Sequence, residues 1–218
     1  MREEEVQKRS GFKTKVYFVD ITDNMKVNAL DFATKIIRSD NQYSRLLPIE
    51  VWESKDVDKQ QKLEIQRTYA GKLAELAFAD LLKEKGKEFD DADMFTIYEG
   101  QENVDEFDFI TKDDKKVDVK AGFRDIHKRL LVNVEQFDNI PKDYYVGIKL
   151  NGVDVDSKEK IIDLNSITEA TIYGYAEYAY MLNHAQCRDF GEGLARYLSY
   201  SQLLGVDRLI EMFENSSK

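Results

Sequence analysis

The sequence predicts a mixed α/β (α+β) fold built as one domain over residues 1–218. Three observations predict it. A stretch of helical hydrophobic period runs through residues 56–86. The period then drops to two over residues 107–121. Strand-like and helix-like segments follow one another from there to the C-terminus. The expected layout is a helical N-terminal part over about 1–86, a sheet core over about 95–176 and C-terminal helices over about 177–218.

Each element has its own warrant. Residues 1–15 are charged and are expected to be loose or partly ordered. Residues 24–39 carry Val27, Leu30, Ala33 and Ile37 near helical spacing. Residues 56–86 read as one long helix or two in sequence, with Leu73, Ala74, Ala77 and Leu81 at the centre of the apolar face. Gly86 is the stop signal. Phe107, Asp108 and Phe109 open an alternating pattern, and Thr111 to Lys116 reads as a polar turn. Val117, Asp118, Val119, Lys120 and Ala121 alternate strictly, which completes a β-hairpin. Strands are expected at 130–134, 144–150 and 170–176, helices at 177–186 and 205–214, and an acidic surface loop at 151–160.

Composition excludes several classes of protein. No run of 18 apolar residues is present, so no membrane-spanning helix is expected. The first ten residues are polar and no secretory pattern follows. The single cysteine, Cys187, cannot form an internal disulfide, so a reducing, cytoplasmic setting is expected. Two histidines and one cysteine exclude an ordinary structural zinc site, although His184 and Cys187 have ligand-like spacing. That pair reads better as a helix-surface histidine and a buried cysteine. The net charge of −10 argues against a protein that binds nucleic acid over much of its surface.

The residues that can carry chemistry are Glu75, Asp108, Asp118 and Lys120. Side chains two apart on a strand share a face, so Asp118 and Lys120 point one way and Val117 and Val119 the other. Three carboxylates and a lysine can thus converge at a sheet edge. Hard divalent cations such as Mg²⁺ take oxygen ligands. Such a metal polarises a phosphate and lowers the pKa of bound water, while a lysine stabilises developing charge. The chain holds five (D/E)-x-K matches, and only Asp118/Lys120 is interleaved with β-branched residues in strand alternation. An Asp and a Lys so spaced also describe a solvated strand face. Asp105 rivals Asp108, and Asp80 is the fallback acid to Glu75.

This constellation resembles the PD-(D/E)XK nuclease superfamily. Asp108, nine intervening residues and then Asp118-Val119-Lys120 match its acid followed by (D/E)-x-K. The helix AGKLAELAFADLL supplies the upstream glutamate, Glu75, and the strand ending DYYVGIKL follows. Phe107 stands where the family name has proline. The resemblance implies a restriction-endonuclease-like core, a central mixed β-sheet flanked by helices. It implies a Mg²⁺-dependent DNA endonuclease, most simply a type II restriction enzyme, with Mn²⁺ able to substitute. Asp108, Asp118 and Glu75 would hold metal and Lys120 would serve the nucleophile. Double-stranded DNA and a homodimer are the implied partners, because two-fold symmetry suits a palindromic site.

Charge is also distributed locally. Between Lys112 and Arg129 stand seven Lys/Arg and four Asp, a window of +3 within a chain of −10. Arg124, Lys128, Arg129 and Gln136 are the candidate DNA contacts. Tyr173, Tyr175, Tyr178 and Tyr180 suit base stacking or, better, core packing. Two other readings remain: a phage or mobile-element repair or recombination nuclease acting on branched or single-stranded DNA, and a non-catalytic acidic binding module.

Overall fold

The computed structural model describes residues 1–39, 47–97, 107–152 and 162–216. Strands β1 (Arg2–Gln7) and β2 (Lys13–Asp20) form a hairpin, followed by helices α1 (Asp23–Arg38), α2 (Ile49–Ser54) and α3 (Val57–Glu84). Then come β3 (Lys87–Glu88), β4 (Phe109–Ile110), β5 (Lys116–Gly122), β6 (Arg129–Asn133), α4 (Val134–Asn139) and β7 (Tyr144–Asn151). The chain ends with β8 (Glu169–Glu177), α5 (Tyr178–His184), β9 (Gln186–Asp189), β10 (Leu194–Ser199), α6 (Val206–Ile210) and β11 (Glu214–Asn215). No helix among the described residues is long and apolar enough to cross a membrane.

A six-stranded mixed sheet of order β1-β2-β8-β7-β5-β4 is the centre of the molecule. Strands β5 and β7 are parallel, and every other neighbouring pair is antiparallel. A parallel pair cannot be joined by a tight turn. Here β6 and α4 make the crossover. Val117, Val119, Val146, Ile148 and Leu150 on one face pack with Leu73, Ala74, Ala77 and Leu81 of α3 and with Ala29 and Ala33 of α1. The opposite face carries Tyr145 and Ala176. It packs with Leu130, Val132, Phe137, Met181 and Leu198 from β6, α4, α5 and β10.

Helix α3 is a single 28-residue helix. The Asp56 side chain caps its start by accepting from Lys59 N at 3.0 Å. Gly86 follows its end at φ 67°. Helix α1 buries Ala29, Phe32, Ala33 and Ile36, while Val27 and Leu30 are exposed. The apolar face is therefore turned from the expected one, since the tighter 29/32/33/36 stripe faces α3.

Three expectations are corrected. Residues 1–15 are ordered into β1 and the start of β2, so the N-terminal part is not all helical. Cross-strand pairs of Glu3 with Lys15 (2.6 Å) and Glu5 with Lys13 (3.6 Å) balance the charge. Such a charged edge also discourages pairing with another sheet. The C-terminal part is likewise not all helical, because β9 and β10 pair with β6 in a three-stranded sheet. Cys187 lies on exposed β9 rather than in the core. The acidic loop falls almost wholly outside the described residues.

A bulge divides β7 from β8 at Gly147/Ile148. Beside it, Gly174 has φ 139°, and a Cβ there would meet Leu204 O at 2.0 Å. Tyr175 and Leu204 exchange backbone hydrogen bonds of 3.0 and 2.8 Å at this point. Only glycine admits this approach. Gly174→Ala is expected to destabilise the fold by about 2–4 kcal/mol, from backbone strain plus overpacking. A urea unfolding curve measures the loss.

Candidate active site

Strand β5 is bordered by β7 on one side and by β4 on the other. The short β4 pairs only Phe109 with Val117 and Ile110 with Lys116, and Asp108 N donates to Val117 O at 3.0 Å. Beyond that pairing Val119 N has no strand partner on this side. The Asp108 carboxylate takes its place: Oδ2 accepts from Val119 N at 2.6 Å. The acid is thus pinned to the edge of the strand that carries Asp118 and Lys120.

Asp108 is half-buried as a residue, but its carboxyl is densely packed round. Burial pushes its pKa well above the ordinary carboxylate value. The charges of Glu75 and Asp118 raise it further, and the Val119 N–H and Lys120 pull the other way. Asp108 therefore feels both of the other expected acids. Asp118 is buried, and its Oδ2 meets Lys120 Nζ at 2.7 Å as an ion pair without hydrogen-bond alignment. Lys120 Nζ also donates to Gln136 Oε1 at 3.0 Å. Gln136 is held on α4, where its backbone N–H donates to the Asn133 side chain at 3.2 Å.

Glu75 comes from α3, across the sheet edge. Its Oε2 is 2.5 Å from Nζ of Lys72, a buried lysine that also donates to Met94 O at 2.7 Å and lies over the Phe32 ring. A second buried lysine, Lys142, stands at the start of β7 and donates to Ile140 O at 3.0 Å. Burial lowers its pKa, and Asp118 and Asp108 act to raise it. Neither lysine was singled out in the sequence. Lys72 sits one residue from the apolar centre of α3, and only burial distinguishes it from a surface lysine. Asp80 is exposed, and Asp105 lies outside the described residues.

Strand alternation puts Asp118 on the face away from α3, whereas Glu75 belongs to α3. Among the described residues no group of three or more His, Cys, Asp or Glu forms a ready metal site. Each acid is instead engaged by a neighbour: Val119 N–H, Lys120 and Lys72. Carboxylate oxygens, one of them buried without an aligned hydrogen bond, are the ligand type that hard divalent cations take, but these three acids are not gathered into one ligand set.

The expected DNA contacts separate into two places. Gln136 belongs to the acid site through Lys120. Arg124 belongs with Lys149 and Arg67 around His127, and all three push the His127 pKa down with burial, to about 4. His127 Nδ1 accepts from Phe123 N at 3.1 Å and Arg124 N at 3.2 Å. Lys128 and Arg129 are exposed, and Arg129 lies over the rings of Tyr197 and Phe190. Of the four tyrosines only Tyr175 is buried; Tyr173 stacks on Tyr200, Tyr178 on Phe137 and Tyr180 on His184, each with part of its surface open.

Comparison with family models, with curated proteins and with solved structures finds no match for this chain.

Two titrations follow from the site. A carboxyl whose folded pKa is raised costs stability once pH exceeds its unfolded value, and the cost grows until the folded value is passed. Asp108→Asn keeps an acceptor for Val119 N and removes the charge. It is expected to raise the melting temperature at pH 8, with the gain vanishing as pH falls toward 4. His127 has the opposite sense. Its folded pKa lies below the ordinary 6.5, so stability present above 6.5 is lost as pH falls toward about 4. In His127→Asn that part of the acid loss is expected to disappear from thermal melts run across this range.

Proposed function

We propose that the chain is a Mg²⁺-dependent DNA endonuclease on a restriction-endonuclease-like core, acting as a homodimer on double-stranded DNA in the manner of a type II restriction enzyme. The observation that carries this reading is the Asp108 carboxylate. It is fixed to the backbone of the Asp118-Val119-Lys120 strand, and its pKa is raised first by burial and then by the charges of Glu75 and Asp118. Burying like charges side by side is costly, and a cation between them relieves the cost.

Asp108 and Asp118 would hold the cation, with Glu75 supporting a second ion or a water, and Mn²⁺ would substitute for Mg²⁺. Bound there, the ion supplies Lewis-acid polarisation of the scissile phosphate. Lys120 Nζ is oriented by Gln136 Oε1 and Asp118 Oδ2 and would serve the nucleophile and stabilise the negative charge that develops. In the hydrolysis a water oxygen bonds to phosphorus, the P–O3′ bond breaks, and the 3′-oxygen takes up a proton. The products are a 5′-phosphate and a 3′-hydroxyl.

Two measurements test this. Duplex DNA is incubated with Mg²⁺ and wild type, Asp118→Asn or Lys120→Met, and both variants are expected to lose at least about 100-fold in rate. Thermal shift with Mn²⁺ reads the cation without cleavage, and stabilisation is expected in wild type and not in Asp118→Asn. Cleavage confined to branched or single-stranded substrates would replace restriction with repair. Absence of both cleavage and Asp118-dependent stabilisation would leave the fold as a binding module.

A further inference from the structure

Behind the acid site, on the same face of the sheet, a groove of about 420 Å³ is lined by His127, Lys128, Lys149, Tyr173, Tyr200 and Ser201, among other residues. Its position follows from the register. Asp118 pairs with Tyr145 and Gly122 pairs with Lys149, so the two levels are four residues apart along parallel strands. At ~3.3 Å per residue that is ~13 Å. Tyr145 and Lys149 share a face because they differ by an even number. Gly122 and Gly147 lack side chains on this face, and the Tyr200 ring packs against both, with Leu203 beside it on Gly147.

The lining has two kinds of surface. One wall is aromatic: the Tyr173 and Tyr200 rings stack at 4.2 Å and 6°. The bulge at Gly147/Ile148 adds Tyr173 as the extra residue of β8 here. The other side carries Lys128 and Lys149. His127 stands beside them with its Nδ1 already accepting two backbone N–H groups, which leaves Nε2 as the hydrogen donor. Asp125 is the acid among the lining residues, so this part of an acidic chain is net cationic. The volume lies in the range of small-ligand sites. A ligand that matches must present an anion to donors and a flat ring to an aromatic wall.

We infer that this groove seats one nucleotide unit, its phosphate against Lys128, Lys149 and His127 and its base against the Tyr173–Tyr200 wall. The inference rests on the reading of the chain as a DNA nuclease insofar as the nucleotide belongs to the strand being cut. The ~13 Å to Asp118 corresponds to ~4 base steps of 3.4 Å, close enough for one strand to occupy both places. The groove then positions the strand while the acids and Lys120 act on it. It differs from a general basic patch in binding a base as well as a phosphate.

The experiment uses the full chain in Ca²⁺ buffer with two probes, dTMP by titration calorimetry and a fluorescein-labelled twelve-nucleotide oligothymidylate by anisotropy. Lys128→Ala is expected to weaken oligomer binding and reduce the slope of log affinity against log salt by about 1. Tyr173→Leu is expected to weaken it about tenfold with the slope unchanged, as loss of stacking requires. The same pattern with dTMP alone assigns the groove to a free nucleotide and still supports nucleotide chemistry. Unchanged affinity in both variants, or no binding of either probe, overturns the inference. Lys128 is exposed, so its variant decides the matter if Tyr173→Leu fails to fold. Cleavage is scored separately. Groove-dependent binding without cleavage would sink the nuclease reading and keep the groove; cleavage without groove dependence would do the reverse.

Discussion

Strand β5 has a neighbour on each edge and core on both faces, and its period of two decides what each residue does. Val117 and Val119 enter the core shared with α1 and α3. Asp118 and Lys120 must then face the other way, where Asp118 is buried. A buried carboxylate needs a partner, and the nearest on the same face is two residues on. The Asp118–Lys120 ion pair is thus a consequence of the alternation as well as a candidate piece of chemistry. The same strand fixes Asp108, because β4 is too short to satisfy the Val119 N–H and the side chain does so instead.

How far the sequence could be read follows from this. Strong alternation around Asp118 and Lys120 and a long apolar stripe through Leu73 and Leu81 were legible because burial imposes a period. The β1–β2 hairpin was not, because β1 is exposed along almost its whole length and its charges pair across strands instead of alternating with apolar residues. Helix α1 was found but its face was misplaced, since Val27 and Leu30 are apolar and exposed. At the site, Asp108 and Asp118 were legible from spacing. Gln136 as a partner of Lys120 was not, since it depends on how the β6–α4 crossover returns to the sheet. Lys72 and Lys142 escaped for a related reason: lysines are rarely buried, and nothing local marks those that are.

The acid excess takes a different meaning with the chain folded. Much of it is neutralised pairwise on the surface, as along the β1–β2 hairpin, where exposed pairs contribute little. About the edge of β5 the acids are each engaged separately, Asp108 by the Val119 N–H, Asp118 by Lys120 and Glu75 by the buried Lys72. Charge of both signs is concentrated where solvent is scarce, which is an unfavourable arrangement for stability alone. The cationic residues Arg67, Arg124 and Lys149 gather elsewhere, around His127. On the reading proposed above, a polyanion would meet repulsion at the acids and attraction about a dozen ångströms along the same sheet face, chiefly from Lys128 and Lys149, since Arg67 is paired with Glu192.

That separation suggests why so acidic a protein can retain a use for phosphate. Carboxylates that bind a cation must be repulsive to phosphate before the cation arrives, so the first hold on a strand has to be made at another place. On the same reading, a cationic groove within the same strand's reach would supply that hold without weakening the acids' hold on a metal. The raised pKa of Asp108 belongs to the same logic. It means that Asp108 gives up its proton less readily than an ordinary carboxyl, which spares the fold a buried charge; on the reading proposed above, a cation would replace that proton. On that reading, stability without an ion and readiness for one would both come from one carboxyl group, held in place by a single backbone N–H.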